Sequence, residues 1–313
     1  MQLQTLVEIP KVPFQISHTD KLLLLGSCFA DEMGEKLTAN GFQVMANPFD
    51  TLYNPASIAA MLLRCISERE CTEIFAGSDG IWHSWMHHSR FSATTKDELQ
   101  ARIDNATQEA AAFLRTANVL IITFGTAIIY RLKENGMLVA NCHKQPDSLF
   151  LRERLTAYDI VDQWQMVLQL LLAVNPDLKI IFTVSPIRHK RDGLHVNQIS
   201  KGILLQAVDE MVNYEIRNSK SENSDQLSNC KLSNCKLSNC DFFYFPSYEI
   251  MLDELRDYRF YAEDMVHPSP LAIEYIWQRF QQSYMSPQTI EQCRQNLKHW
   301  KQTQHRTIIK NLD

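Results

Sequence analysis

Four short apolar runs alternate with longer amphipathic segments along the chain. The runs are residues 21–26 (KLLLLG), 119–124 (VLIITF), 179–184 (KIIFTV) and 242–245 (FFYF). Continuous apolar runs of this length are typical of parallel strands that are covered on both faces. We therefore predict a mainly parallel sheet in the centre of the molecule.

Segments with helical periodicity fill the gaps between these strands. The predicted helices cover residues 28–40, 55–67, 97–116, 158–174, 196–217 and 270–283. Alternation of strand and helix produces β-α-β units, which predicts an α/β fold, a three-layer α/β/α sandwich. We expect residues 1–285 to form a single domain and the polar residues 286–313 to form a C-terminal helical extension.

A tandem repeat interrupts this pattern. Residues 228–240 read SNCKLSNCKLSNC and follow the polar tract SKSENSDQ. Three cysteines at a spacing of five residues could indicate a metal site, but thiolate sites prefer a C-x-x-C spacing. We interpret residues 218–240 as a low-complexity surface insertion and expect no metal there.

Composition and charge narrow the choice of partners. The chain has 313 residues, of which 45% are hydrophobic, and its formal net charge is −5. A nucleic-acid-binding protein would normally show a basic face, so we expect no nucleic-acid partner. No apolar run is long enough to span a bilayer, and the first 15 residues lack the features of a secretory signal. We expect no membrane partner, a cytoplasmic location, and thiols rather than disulfides for the eight cysteines.

The first predicted strand ends in Gly26-Ser27-Cys28, where a helix is predicted to begin. Backbone N–H groups at such a helix start favour developing negative charge, so a hydroxyl there could act as a nucleophile. The alternative is that Ser27 only caps the helix. Cys28 competes for the nucleophile role, because a thiol at a helix N-terminus has a lowered pKa. Only one of these two neighbouring side chains can face a substrate.

A second candidate motif lies near the other end of the chain, in Asp264-Met265-Val266-His267. If the loop turns between the two outer residues, the carboxylate of Asp264 can hold one imidazole nitrogen of His267. The other nitrogen is then free to take a proton from a nucleophile. The alternative is a turn with an exposed histidine.

Together and in this order, the two motifs resemble those of the GSCFA-domain family, a branch of the SGNH/GDSL hydrolase superfamily. Residues 26–30 read GSCFA, and the resemblance extends over roughly residues 10 to 285. Further segments that carry it are residues 47–49 (NPF), 53–55 (YNP), 124–127 (FGTA), 140–144 (ANCHK), 183–186 (TVSP) and 267–269 (HPS).

The resemblance implies an SGNH-hydrolase-like fold with flavodoxin-like topology and a catalytic triad. Ser27 matches the family nucleophile and is favoured over Cys28, while His267 matches the base and Asp264 its orienting carboxylate. The superfamily's usual oxyanion-hole Asn has no counterpart in Gly125-Thr126-Ala127. Asp50 stands where the family pattern leads us to expect a glycine.

The resemblance also suggests residues that contact the substrate or an oxyanion. Two of them, Arg188 and His189, follow a predicted strand and could bind an anionic group or form a local ion pair. The full set of oxyanion and substrate-binding candidates is Cys28, Asn54, Gly125, Thr126, Asn141, His143, Arg188 and His189.

A cluster of tryptophans and histidines at residues 82–88 (WHSWMHH) allows three interpretations: a metal site, a pocket wall or ordinary packing. We favour the last two and predict neither a metal nor a cofactor. No glycine-rich phosphate-binding motif is present in the sequence.

These inferences predict a serine-dependent ester hydrolase or acyltransferase. Its partner would be a small-molecule or carbohydrate ester, with acetyl among the acyl groups considered. The alternative is a non-catalytic carbohydrate- or metabolite-binding protein with a degenerate pocket of the same kind. The sequence predicts no oligomeric state.

Overall fold

The computed structural model describes residues 5–67, 69–213 and 242–310, and for residues 304–310 it describes the backbone only. The predicted insertion at residues 218–240 lies outside the described residues. The described residues contain ten strands: β1 (Lys21–Gly26), β2 (Gln43–Ala46), β3 (Ile74–Ala76), β4 (Trp82–Ser84), β5 (Val119–Phe124), β6 (Ile128–Leu132), β7 (Leu138–Val139), β8 (Phe150–Arg154), β9 (Lys179–Val184) and β10 (Phe242–Phe245). The α-helices are α1 (Cys28–Ala39), α2 (Pro55–Ser67), α3 (Lys96–Leu114), α4 (Ala157–Val174), α5 (Leu194–Val212), α6 (Ser247–Glu249), α7 (Pro270–Tyr284) and α8 (Pro287–Lys310).

Five strands form a fully parallel central sheet in the order β10-β9-β5-β1-β2. Counted along the chain, this is the 2-1-3-4-5 order of flavodoxin-like folds, and the predicted α/β fold class is confirmed. The strand order reverses between β1 and β5. The crevice beyond the carboxyl ends of these two strands is therefore where such a fold normally binds its ligand.

The three layers follow from the alternation of side chains along each strand. In β1, Leu23 and Leu25 pack into one apolar cluster with α2, α3, α4 and α5. Leu22 and Leu24 point to the opposite face and pack with α1 and α7. Because a strand turns successive side chains to opposite faces, a run of four leucines supplies both layers at once.

Helix α8 packs on the second of these faces, although its sequence is largely polar. Cys293 is completely buried in the same cluster as α1 and α7. Asn296 Nδ2 donates a hydrogen bond to the Asn40 carbonyl at the end of α1, over 3.0 Å. Among the described helices, none has the length and apolar character that a bilayer crossing requires.

Two small antiparallel sheets stand beyond the carboxyl edge of the central sheet, one formed by β3 and β4 and the other by β7, β6 and β8. The second begins directly after β5. There, Leu155 N–H donates to the Ala127 carbonyl over 2.9 Å and so fixes the base of β6 against β8. Tyr130 of β6 and Val139 of β7 form part of the wall of the crevice.

Candidate active site

The turn from β1 into α1 requires a glycine. Gly26 has φ +144°, and a Cβ on it would lie 2.2 Å from the Thr123 carbonyl oxygen of β5. Such an approach is closed to any other residue. The tight contact brings the start of α1 against the end of β5 at the crevice.

A buried asparagine, Asn47, stabilises this turn through hydrogen bonds. Asn47 Oδ1 accepts a hydrogen bond from Gly26 N–H over 2.8 Å, and its Nδ2 donates to Asp31 Oδ1 over 2.9 Å. Asn47 is 2% exposed and has φ 41°. These side-chain bonds connect the turn to the first helical turn of α1 and fix the orientation of the residues between them.

Ser27 is the N-cap of α1. Its Oγ accepts a hydrogen bond from Phe29 N–H over 3.4 Å, and the residue is 1% exposed. It is not among the residues that line the crevice. The structure therefore gives Ser27 the capping geometry that we considered as the alternative to catalysis.

Cys28, the next residue, opens onto the crevice. Its Sγ lies 3.6 Å from His267 Nε2. Burial raises the pKa of the Cys28 thiol to about 11, and the nearby carboxylates of Asp31 and Glu32 add to this rise. The resting thiol is therefore neutral and needs a base to become nucleophilic.

The loop from Asp264 to His267 folds back on its own carboxylate. Asp264 Oδ1 accepts hydrogen bonds from the N–H groups of Val266, over 2.8 Å, and His267, over 3.0 Å. Its Oδ2 lies 2.6 Å from His267 Nδ1. These bonds lower the pKa of Asp264 to about 2, so it is a carboxylate at neutral pH. In the neutral form of the ring, this carboxylate favours the proton on Nδ1, and Nε2 is then the acceptor that faces Cys28.

In the structure, His267 Nε2 contacts Cys28 Sγ, whereas Ser27 Oγ has the capping contact with Phe29 N–H. The reason is local: the cap geometry turns the hydroxyl of residue 27 toward the helix amides. The side chain of residue 28, the first residue inside the helix, then points toward His267. The structure brings Asp264 and His267 together as the sequence predicted, but with the neighbouring residue as their partner.

These groups line a cleft of about 360 Å³, within the usual range for a small-molecule site. Four of the predicted substrate-binding residues line it together with Cys28 and His267. These four are Asn54, Thr126, Arg188 and His189.

Several expected oxyanion donors are already engaged. The N–H groups of Gly125 and Thr126 both donate to the Tyr53 carbonyl, each over 2.8 Å. The Thr126 hydroxyl lies 3.0 Å from Ser200 Oγ and accepts from Ile128 N–H over 3.2 Å. The end of β5 is therefore a rigid structural turn rather than a row of free donors.

Asn54 is positioned differently. Its Oδ1 accepts a hydrogen bond from Ser57 N–H over 2.8 Å and so caps α2. This bond fixes the orientation of the Asn54 amide group. The residue is 6% exposed and lines the cleft. Its Nδ2 is the end that remains for a ligand.

His189 lies deep in the same wall. Its backbone N–H donates to Asn197 Oδ1 over 2.9 Å, and its ring meets the Tyr53 ring edge-on. Burial lowers the pKa of His189 to about 4, so the ring is neutral. Its Nε2 is buried and has no hydrogen-bond partner in the described part of the chain.

Asn141 and His143 lie outside the cleft. Asn141 Oδ1 accepts from His143 N–H over 2.9 Å, and His143 Nε2 lies 2.7 Å from the Ser84 carbonyl. The His143 ring also packs at 4.7 Å from that of His83. Both residues therefore belong to the packing around β3 and β4. Across residues 5–67, 69–213 and 242–303, no three His, Cys, Asp or Glu side chains form a group that could hold a metal ion.

Asp50 also lies away from the cleft. Its φ of 68° is in the left-handed region, where the glycine of the family pattern would fit without strain. Its carboxylate offsets this backbone strain by accepting a hydrogen bond from Thr51 N–H over 2.6 Å. It also contacts Arg90 Nε at 2.9 Å and His88 Nδ1 at 3.2 Å. Aspartate at this position therefore changes the contacts within the loop and does not change the residues that line the cleft.

Lys201 is a residue that the sequence interpretation missed. It is 1% exposed, and its Nζ donates to the carbonyls of Gly125 and Ser185, each over 2.7 Å. It thereby connects the ends of β5 and β9 beneath the cleft. Burial lowers the pKa of Lys201 to about 7. A signal was present: Lys201 occupies a position on the buried stripe of α5, in line with Asn197, Leu204 and Val208.

Comparison with known proteins identifies the family of this chain. A search of curated proteins gives no match. Among solved structures, an acetyl xylan esterase from the rumen bacterium Butyrivibrio proteoclasticus is similar at 12% identity with a TM-score of 0.39, over 85% of this chain and 63% of that one. The family comparison matches residues 21–280 to the GSCFA family. This match covers most of the sequence, and the chain belongs to the GSCFA family.

Proposed function

We propose that this protein is an acyl-transfer enzyme that cleaves esters through a Cys28–His267–Asp264 triad. One observation carries the proposal. Cys28 Sγ lies 3.6 Å from His267 Nε2, and Asp264 Oδ2 lies 2.6 Å from His267 Nδ1, at the crevice where the strand order reverses. A nucleophile, a base and a group that orients the base are the requirements for covalent catalysis.

In the acylation step, the Cys28 thiol transfers its proton to His267 Nε2 as the sulfur attacks the ester carbonyl carbon. The S–C bond forms while the carbonyl π electrons move to oxygen and give a tetrahedral oxyanion. The oxyanion then collapses, the C–O bond to the alcohol breaks, and His267 gives its proton to the leaving oxygen. Because the resting thiol is neutral, attack and proton transfer are coupled, and Asp264 stabilises the imidazolium between them.

The oxyanion would be stabilised mainly from the side of α1. The start of a helix carries the positive end of its dipole, and Cys28 is the first residue of α1. Phe29 N–H donates to Ser27 Oγ and Ala30 N–H to the Ser27 carbonyl, so the Cys28 N–H is the donor proposed from this side. Asn54 Nδ2 is the second donor that the cleft offers. Two donors of this kind would replace the amides of Gly125 and Thr126, which are committed to Tyr53.

In the second step, His267 Nε2 takes a proton from water or from an acceptor alcohol, whose oxygen attacks the thioester and releases Cys28. Water gives hydrolysis and an alcohol gives acyl transfer. A cleft of about 360 Å³ suits a small acyl group and a single ring or chain. Acetyl esters of carbohydrates or small metabolites are therefore the first substrates to test.

The second candidate function is ligand binding without catalysis. It is favoured by one observation: the N–H groups of Gly125 and Thr126 donate to Tyr53 and leave the end of β5 without free donors. Loss of an oxyanion donor typically costs a factor of about 100 to 1,000 in rate. The two functions differ in turnover and can be separated by kinetics.

The experiment is steady-state cleavage of 4-nitrophenyl acetate, in the presence and absence of an acceptor alcohol. The wild type is compared with Cys28→Ala, Cys28→Ser, His267→Ala and Ser27→Ala. Ser27→Ala is the matched control, because it changes the adjacent residue and leaves the thiol in place.

We expect Cys28→Ala and His267→Ala to lose at least about a thousandfold in kcat, since removal of a triad member disables the unit. Ser27→Ala should keep kcat within about threefold and lose about 1 kcal/mol of stability through the missing cap. Wild-type turnover that Cys28→Ala does not reduce would contradict the proposal. No turnover by a folded wild type would favour the binding function.

A further inference from the structure

We propose that Arg188 forms an anion subsite in the catalytic cleft, and that the protein acts on esters that carry a carboxylate or phosphate group. This inference rests on the proposed function for the reaction. It rests on separate observations for the choice of substrate. The observations are the position of Arg188, the absence of a counter-charge and the charge of the cleft around it.

The backbone and the guanidinium of Arg188 are both held in place. Its N–H donates to the Val266 carbonyl over 3.2 Å, which joins the loop after β9 to the loop that carries His267. Its guanidinium lies over the Tyr261 ring, 3.9 Å from the centroid. A guanidinium stacked in this way keeps the edges of its fork available for hydrogen bonds.

Nothing in the described part of the chain neutralises this charge. No carboxylate of residues 5–67, 69–213 or 242–303 lies within ion-pair distance of Arg188. Neighbouring arginines do have such partners: Arg152 pairs with Asp192 at 2.6 Å, and Arg259 pairs with Asp257 at 3.0 Å. Arg188 is half-buried and lines the cleft without a charged acceptor. An anionic ligand would supply that acceptor.

The other charged groups of the cleft do not offset Arg188. The lining carboxylate is Asp192, which is already paired with Arg152. Arg191 also lines the cleft, and its contact with Asp147 is long, at 3.5 Å, and exposed. The wall of the cleft around Arg188 is therefore locally positive, whereas the carboxylates of Asp31, Glu32 and Asp264 lie near its Cys28 and His267 end. Low-dielectric walls with one sign of charge concentrate ligands of the opposite sign.

The chemistry that fits is a planar or tetrahedral oxyanion that can accept two parallel N–H bonds. Carboxylates and phosphates both accept a guanidinium in this way. Arg188 and Cys28 line the same cleft, so one small ester can occupy both positions. Arg188 would hold the anionic end and thereby place the ester carbonyl next to the thiol.

The test uses two esters of similar length and a matched control variant. Mono-4-nitrophenyl glutarate carries a carboxylate on its acyl chain, and 4-nitrophenyl butyrate does not. The variants are Arg188→Gln, Arg188→Lys and Arg259→Gln. Arg259 is the control because it also lies against an aromatic ring, Phe260, but pairs with Asp257 and does not line the cleft.

We expect the wild type to prefer the glutarate ester. Arg188→Gln should lower the glutarate-to-butyrate ratio of kcat/KM by about tenfold to a hundredfold, mainly through KM. Arg188→Lys should recover part of the ratio, because a lysine supplies the charge without the fork. Arg259→Gln should leave the ratio unchanged. A ratio that Arg188→Gln does not alter would overturn the proposal.

A binding measurement separates this inference from the reaction itself. Calorimetry with glutarate, inorganic phosphate and the neutral glutaramide needs no turnover. We expect saturable binding of at least one anion to the wild type, loss of that binding in Arg188→Gln, and no binding of glutaramide. The anion that binds identifies the carboxylate or the phosphate as the preferred group.

Two results would overturn the anion subsite: neither anion binds, or anion binding survives in Arg188→Gln. If neither ester is turned over while an anion binds through Arg188, the proposed reaction fails and the subsite stands.

Discussion

Two regions of this protein concentrate histidines next to hydroxyl, thiol and amide groups, and they use them differently. In the cleft, His267 has a carboxylate on Nδ1 and a thiol opposite Nε2. Around β3 and β4, His83, His87 and His143 pack against aromatic rings. From sequence composition alone, the two regions are similar candidates for an active site.

His87 illustrates the difference. It is completely buried, its Nδ1 lies 2.8 Å from Ser84 Oγ, and its Nε2 has no partner in the described part of the chain. Burial lowers the pKa of His87 to about 3, so it stays neutral at physiological pH. His267 instead is half-exposed and paired with a carboxylate. The comparison teaches that a histidine suited to catalysis is recognised by the partners of its two nitrogens and by access to a cleft.

The largest predicted effect comes from removing the charge that orients His267. Asp264→Asn should reduce kcat by a factor of about 10,000, because the amide no longer fixes the tautomer or stabilises the imidazolium. The measurement is steady-state hydrolysis of 4-nitrophenyl acetate across pH. The fold should be retained, as judged by circular dichroism.

The matched control for that change lies in the other histidine region. Ser84→Ala removes the hydroxyl partner of His87 and should leave kcat unchanged, because none of its contacts reach the cleft. Equal losses in Asp264→Asn and Ser84→Ala would erase the distinction between the two regions.

The next largest effect is expected at Lys201. Lys201→Met leaves the carbonyls of Gly125 and Ser185 without a donor, at a cost of about 1 to 3 kcal/mol each. The pKa of Lys201 is lowered by burial to about 7 from its ordinary 10.5. Between these values the unfolded chain holds a proton that the folded protein lacks, so the free energy of unfolding rises with pH. The rise is at most about 1.4 kcal/mol per pH unit.

Urea unfolding of the wild type and Lys201→Met at a series of pH values between 7 and 9 would test this. The stability deficit of Lys201→Met should widen as the pH increases. Parallel curves would mean that Lys201 is protonated throughout, and would contradict the lowered pKa.

A smaller effect is expected at His87. Its pKa is lowered by burial from 6.5 to about 3, so between these values the unfolded chain binds a proton that the folded protein does not. Stability is therefore lost as the pH falls through this window, by at most about 1.4 kcal/mol per unit. His87→Gln should show a shallower loss between pH 6.5 and 5 in denaturant unfolding, with unchanged kcat. A steeper loss in the variant would contradict burial of a neutral imidazole.

The smallest effect is expected at Asp50. Asp50→Gly relieves about 1 kcal/mol of strain in a left-handed backbone. It also removes the contacts with Thr51 and Arg90, which stabilise the fold by a similar amount. The net change in the free energy of unfolding should stay within about 1 kcal/mol. Asp50→Ala keeps the strain and loses the bonds, so thermal unfolding should place it clearly below Asp50→Gly.

The sequence predicted the central sheet well because its signal is local. The predicted strands at residues 21–26, 119–124 and 179–184 have the observed bounds, since each is a continuous buried run. Strand β2 was missed because it lies at the edge of the sheet and begins at the exposed Gln43. Strand β8 was missed for a similar reason, since it is almost entirely exposed.

In the site, the sequence predicted contacts within one loop and missed those that depend on tertiary geometry. Asp264 and His267 are three residues apart, and their pairing follows from a single turn. Which of Ser27 and Cys28 faces His267 depends on the backbone of Gly26 against β5, which no local pattern specifies. Lys201 contacts a carbonyl that is 76 residues away in sequence. Burial of its charge is a property of the folded protein.

The most direct test is to trap the acyl-enzyme and locate the acyl group. The wild type is mixed with 4-nitrophenyl acetate, quenched in acid during turnover, digested and mapped by mass spectrometry, with Cys28→Ala treated in parallel. The triad proposed here predicts one acetyl group as a thioester on Cys28 that is absent from Cys28→Ala. An acetyl group on Ser27, or turnover with no acyl group on either residue, would contradict it.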